Sequence, residues 1–162
     1  MQIRVAGPGD WPHIWPFLHE IVAAGDTFAY DRDLGHDTAR EMWMVGPPGR
    51  TVVAVADDAT VVGTANMYRN KGGGGAHVAS ASYMVDPAHA GRGVGRALVR
   101  DSLDWARAEG FRGMQFNAVV ETNTAAVGLY RSLGFDVIGT VPEGFDHPEQ
   151  GFVGLHIMYL AL

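Results

Sequence analysis

The stretch VDPAHAGRGVGRALV, Val85 to Val99, sets three glycines and two arginines where a strand-like run gives way to a helix-like one. Glycine has no side chain and tolerates positive φ, so Gly91, Gly93 and Gly95 let several backbone N–H groups converge on one oxyanion. A helix opening at the same point adds its unpaired N–H groups and the positive end of its dipole. Arg92 and Arg96 strengthen the attraction for a phosphate. Spacing rules out two common phosphate binders. A dinucleotide fingerprint needs glycine three residues beyond Gly93, where Arg96 stands, and a P-loop needs Gly-Lys followed by Ser or Thr, which this turn lacks. A glycine-rich connection with solvent-facing arginines is the structural alternative, and a second signal is needed to separate the two.

That signal lies downstream, in NTAAVGLYRSLGF, Asn123 to Phe135. Asn123 and Tyr130 are two helical turns apart, so they share a face roughly 10 Å apart along the axis, within reach of one ligand. Taken singly, Asn123 reads as an N-terminal cap and Tyr130 as a core aromatic. Together with the glycine turn they read as a binding site.

The pattern around these segments alternates strands and helices. IRV opens a first strand, and Asp10 is the expected N-cap of a helix through about Ala24, on which Ile14, Phe17, Leu18 and Ile21 keep helical spacing. A polar-aromatic loop, Ala23 to Leu34, precedes a shorter helix over about His36 to Met44, stopped by GPPG at Gly46 to Gly49. TVVAVADD and TVVGTANMYR read as a hairpin, and KGGGGAH as the flexible turn leading to a central strand over Ala76 to Asp86. Leu98, Val99, Leu103, Trp105 and Ala106 stripe a helix over Gly95 to Glu109, with Gly110 at its stop. GMQFNAVV is a second central strand, and Thr122 to Leu133 is helical up to a left-handed Gly134. FDVIGTV and GFVGLHIMYLAL close the chain as strands around a polar loop, PEGFDHPEQ. The order β-α-α-β-β-β-α-β-α-β-β predicts an α/β fold with a mixed sheet.

Composition narrows the partners. A chain of 162 residues suits one domain, here 1–162, and buries roughly 70% of its unfolded surface. With 47% hydrophobic and 19% charged residues and no run of about 18 apolar residues, no membrane span is expected. MQIRVAGPGDW carries no secretory pattern, so a cytoplasmic location is expected. Zero cysteines exclude disulfides and a cysteine nucleophile. A net charge of -6 argues against nucleic acid as a partner. No metal is expected, because HDTARE places His36 and Arg40, not two ligands, one turn apart.

VDPAHAGRGVGRALV followed by NTAAVGLYRSLGF resembles the two signature segments of the GNAT superfamily of acetyl-CoA-dependent N-acetyltransferases. The resemblance implies a mostly antiparallel sheet flanked by about four helices, with a V-shaped opening between two central strands ending near Val85 and Val119. It also implies acetyl-CoA as acyl donor. Backbone groups of Met84 and Val85 would contact the pantetheine arm. Ala90, Gly91, Arg92, Gly93, Val94, Gly95 and Arg96 would hold the pyrophosphate, Asn123 the middle of the carrier, and Tyr130 would lie near the sulfur. One departure is Ala90, where the family usually has Gln or Arg, so cofactor affinity is expected to be weaker at most. Homodimers are common in the superfamily, although these residues point to no particular interface.

Attack on a thioester needs a neutral amine, a stabilised oxyanion and a proton for the leaving sulfur. Tyr130 is the expected proton donor, and the backbone N–H of Val85 the expected oxyanion donor. Glu20, Asp26, Glu121 and a water relay are all candidates for the base, with His77 a further one inside a strand. Thr27, Phe28 and Tyr30, in the loop AGDTFAYD, would wall the pocket of a small amphipathic amine. AHVASASYMV and FNAVVETN also resemble segments of the fungal azetidine-carboxylate acetyltransferases, which act on cyclic imino acids. That resemblance maps one acceptor asparagine onto Asn117 and another onto Ser80, a departure. The expected acceptor is therefore the amine of a small molecule, either an amino or imino acid or another small amine. A protein N-acetyltransferase and a silent acyl-CoA-binding module are the alternatives, the latter disfavoured by the presence of Tyr130.

Overall fold

In the computed structural model, which describes residues 1–162, eleven elements follow in the expected order. They are β1 (Gln2–Val5), α1 (Trp11–Ala24), α2 (His36–Trp43), β2 (Arg50–Val55), β3 (Val61–Arg69), β4 (Val78–Val85), α3 (Val94–Ala108), β5 (Gly113–Val120), α4 (Thr124–Ser132), β6 (Asp136–His147) and β7 (Gly151–Ala161). The strands form one seven-stranded sheet in the order β1-β2-β3-β4-β5-β7-β6. Every neighbouring pair is antiparallel except β4 and β5.

Alternation along the strands feeds two apolar cores, one on each face of the sheet. On one face, Ala79 and Ala81 of β4 and Met114 and Phe116 of β5 meet Leu98, Val99, Leu103 and Ala106 of α3 and Val127 of α4. On the other, Met84 meets Ile14, Leu18 and Val22 of α1 and Trp43 of α2. Trp43 is buried and donates its indole N–H to Thr64 Oγ1 at 3.0 Å, so a bulky aromatic enters the core without an orphaned donor. Arg50 and Asp101 tie β2 to α3 at 2.6 Å.

The feature that positions the site is the parallel pair. β4 and β5 are in register only at Val78 with Gly113 and Ala79 with Met114. Beyond these the strands diverge, as the resemblance implied. Asn70 N–H bonds to Val78 O and Asp86 N–H bonds to Val62 O, so the even-numbered peptide groups of β4 face β3. Alternation therefore turns those of Ala81, Tyr83 and Val85 toward the gap. β5 loosens at the same level, since its pairing with β7 skips from Phe116 to Val119.

Three local expectations are corrected. Asp10 does not cap α1 with its side chain. Its carboxylate accepts from Gly7 N–H at 2.7 Å and from both terminal nitrogens of Arg4 at 2.8 and 2.7 Å, because the turn before the helix brings these donors closer. PEGFDHPEQ is not all loop: β6 continues to His147 with Phe145, Asp146 and His147 paired to β7. The strand absorbs its polar run in a bulge between Val141 and Phe145, where Glu143 has φ 52°, and an edge strand can leave such side chains in water. His77 lies in the turn before β4, exposed, not within the strand.

Candidate active site

A cavity of about 680 Å³ opens in the gap between β4 and β5 and runs from the α4 face of the sheet to the α1 face. On the α4 side it is lined by Phe116, Val119, Asn123, Ala126 and Tyr130. On the α1 side it is lined by Glu20, Ile21, Asp26, Thr27, Phe28, Tyr30, Tyr68, Ser80, Ser82 and Asn117. Sequence reasoning thus placed Tyr130, Asn123, Thr27, Phe28, Tyr30, Ser80 and Asn117 around one space.

Tyr130 is held by aromatic packing. Its ring centroid lies 4.6 Å from Phe116, 6.0 Å from Phe135 and 6.1 Å from Tyr83. Burial pushes its phenol above the usual tyrosine range, and no hydrogen bond within the chain opposes the shift. The hydroxyl is therefore neutral and free to donate. Tyr83 is also raised by burial, but its hydroxyl is engaged with Ser102 Oγ at 2.5 Å, which removes it as a proton donor into the cavity. Asn123 caps α4: its Oδ1 accepts from Ala126 N–H at 3.2 Å, leaving the amide N–H₂ as its free donor.

The glycine turn lies at the outer end of the gap. Gly91 (φ 74°) and Gly93 (φ 82°) have left-handed backbones, and a Cβ on either would meet nothing within 4 Å. Gly95 differs. It is already helical, and its Cβ would make only ordinary contacts with Leu129 at 3.4 Å and Val85 at 3.7 Å, so neither turn geometry nor space requires glycine there. Arg92 is exposed, Arg96 donates to Ser132 Oγ at 2.9 Å, and the Val94 side chain belongs to the core. Ala90 touches the cavity; the other turn residues do not line it. Val85 presents its N–H to the gap, whereas the peptide groups of Met84 face β3 and only its side chain reaches the cavity.

On the α1 side, burial raises the Tyr30 phenol, Tyr68 adds to the shift and Ser82 partly offsets it. Asn117 donates one N–H to Asn70 Oδ1 at 2.7 Å and accepts from Gln115 at 2.9 Å, which fixes its amide and leaves its second N–H as a free donor. Two base candidates fall away. Glu121 accepts from Gly154 N–H on β7 at 2.5 Å, and neither it nor His77 lines the cavity. Glu20 and Asp26 do. Sequence reasoning missed Tyr68, Ser82, Tyr83 and Phe116. Ser82 repeats Ser80 two positions on, a same-face signal, and the register opposes Tyr68 to Ser80.

The comparisons agree with this architecture. The model of the acetyltransferase (GNAT) family matches residues 15–135. A GCN5-related N-acetyltransferase from Kribbella flavida superposes with a TM-score of 0.96 at 62% identity, covering 99% of this chain and 97% of that one. The yncA protein of Salmonella typhimurium, solved with acetyl-CoA as its cofactor, gives 0.84 at 27% identity, covering 100% and 94%. The L-methionine sulfoximine/L-methionine sulfone acetyltransferase of Pseudomonas aeruginosa is 32% identical over 152 residues, 88% of this chain and 84% of its own. Other curated relatives match more locally, the chain spanning 32% or less of their length. The splayed strands, the glycine turn and the matched family model lead to one assignment: this chain belongs to the GNAT family of acetyltransferases.

Proposed function

We propose that the chain, acting as one acetyltransferase domain over residues 1–162, moves an acetyl group from acetyl-CoA to the amine of a small molecule in a ternary complex. The observation that carries this reading is the single cavity through the β4–β5 gap, with a free phenol on one face and an aromatic, hydroxyl-rich pocket on the other. The residues fit the donor. The unpaired peptide edge of Ala81, Tyr83 and Val85 offers an extended amide chain the groups a neighbouring strand would use. The left-handed Gly91 and Gly93, with space around them, leave their amides open to an anion at the start of α3.

Acetyl-CoA supplies an activated acetyl thioester, so that the amine nitrogen gains the acetyl carbon, the C–S bond breaks, and one proton passes from nitrogen to sulfur in net balance. Asn123 donates from its free N–H₂ toward the donor arm. Val85 N–H, aimed into the gap, polarises the carbonyl. Tyr130 donates a hydrogen bond to sulfur as it gains charge. Glu20 and Asp26, both without a hydrogen-bonded partner in the chain, are the carboxylates placed to take the amine proton, directly or through water. Holding both reactants in one cavity supplies a further part of the barrier reduction.

Calorimetry with acetyl-CoA, followed by thiol release with a panel of small amines and peptides, tests the reading. Saturable binding and turnover with small amines are expected. Turnover confined to peptides would reassign the acceptor, and binding without turnover on any acceptor would leave a silent acyl-CoA-binding module.

A further inference from the structure

Of the residues lining the cavity, two are charged, Glu20 and Asp26, and both are acidic; no lysine, arginine or histidine lines it. Arg32 packs its guanidinium over Gly25 beside the loop and does not line the cavity. The remaining walls on the α1 side are uncharged: Ile21, Phe28, Tyr30 and Tyr68, with the neutral polar Thr27, Ser82 and Asn117. Ser80, only 2% exposed, lines the cavity with a hydroxyl that has no hydrogen-bond partner in the chain, so a polar group is held ready for a ligand. We propose that the acceptor is a small cationic amine with an apolar or aromatic body and no carboxylate. This deepens, and rests on, the acetyltransferase reading.

The argument is one of charge balance in a cavity whose two charges stand at its open side, Asp26 half-buried and Glu20 exposed. An α-carboxylate carried in with the amine would give up part of its hydration, find no cation on the lining, and face two like charges. An ammonium entering the same space meets the opposite charge of Asp26 and Glu20 and the aromatic side chains of Phe28, Tyr30 and Tyr68, a residue class that attracts cations. The Ser80 hydroxyl accepts one of its N–H groups. The pocket therefore selects against the amino acids named for the Pseudomonas relatives, although the fold is shared.

A matched series isolates the charge: phenethylamine, phenylalaninamide and phenylalanine share a ring and an amine and differ at the α-carbon. The kcat/KM for the first two is expected to exceed that for phenylalanine by about tenfold or more, one decade per roughly 1.4 kcal/mol. Asp26→Asn and Glu20→Gln should narrow that ratio without changing the affinity for acetyl-CoA. Phenylalanine used as well as or better than phenethylamine, or a ratio unmoved in both variants, overturns the proposal while leaving the acetyltransferase reading intact. Acetyl-CoA binding with no turnover of any of the three also overturns it. Failure to bind acetyl-CoA removes the reading beneath it.

Discussion

Replacing Tyr130 with phenylalanine removes one oxygen and leaves the ring in its contacts with Phe116, Tyr83 and Phe135. The hydroxyl has no partner in the chain, so its loss orphans no other group, and the melting temperature should stay within about 2 °C. The catalytic effect follows from acidity. A thiol titrates near 8.5 and an ordinary phenol near 10, with Tyr130 higher still, so full proton transfer from phenol to thiolate runs uphill. Its contribution is then a hydrogen bond that strengthens as sulfur gains charge, about 1.5 to 3 kcal/mol for a bond to a charged group. At 1.36 kcal/mol per decade this is a fall in kcat of roughly 10- to 150-fold, with the Kd for acetyl-CoA little changed. Thiol release under saturating acetyl-CoA measures kcat, and calorimetry measures Kd. A variant that binds acetyl-CoA normally and keeps kcat within about twofold of wild type would refute the donor role.

Other consequences can be checked separately. Because burial raises the Tyr130 phenol, its neutral donating form persists as pH rises, and kcat should show no descending limb below about pH 9.5; a limb there that Tyr130→Phe abolishes contradicts this. Gly93→Ala forces a side chain into a left-handed backbone at about 1 to 2 kcal/mol and should weaken acetyl-CoA binding, whereas Gly95→Ala, in helical backbone with only ordinary contacts to meet, should fold as well as wild type; calorimetry and thermal melts compare them. Arg4 and Gly7 hold the Asp10 carboxylate below the usual range, so its contribution is present above the unfolded value near pH 4 and is lost as pH falls through the lower native value. Asp10→Asn should cost about 1 to 2 kcal/mol at pH 7, the half-exposed Arg4 limiting the loss, and the gap to wild type should narrow in urea melts as pH is lowered below about 4.

Element order was legible because the signals were local. Gly110 and Gly134 stop their helices with φ 78° and 97°, as their positions after apolar stripes require. What escaped the sequence was set by tertiary contacts. Asp10 sits where a cap belongs, yet Arg4 and Gly7 claim its carboxylate once β1 is placed beside the turn. PEGFDH has loop composition, but an edge strand bonded to β7 on one side has no need of an apolar pattern on the other. Glu121 illustrates the limit for site residues. As a carboxylate it is a candidate base, and only the fold shows that it accepts from Gly154 N–H on β7 and does not line the cavity.

β4 shows why the site is easier to recognise than its acceptor. A strand sends groups in three directions: Ala79, Ala81 and Tyr83 into the α3 core, Ser80, Ser82 and Met84 toward α1, and the peptide groups of Ala81, Tyr83 and Val85 into the gap. The peptide set is the same whatever the side chains are, so donor binding constrains the backbone and leaves one whole face of the strand free to vary. That face, with the loop carrying Asp26, Phe28 and Tyr30, lines the α1 side of the cavity, where the proposed acceptor would sit. A shared backbone edge can thus serve an unchanged acyl donor whatever side chains stand on the opposite wall, which is why similarity across the fold identifies the donor and the charges of the cavity, read residue by residue, must identify the acceptor.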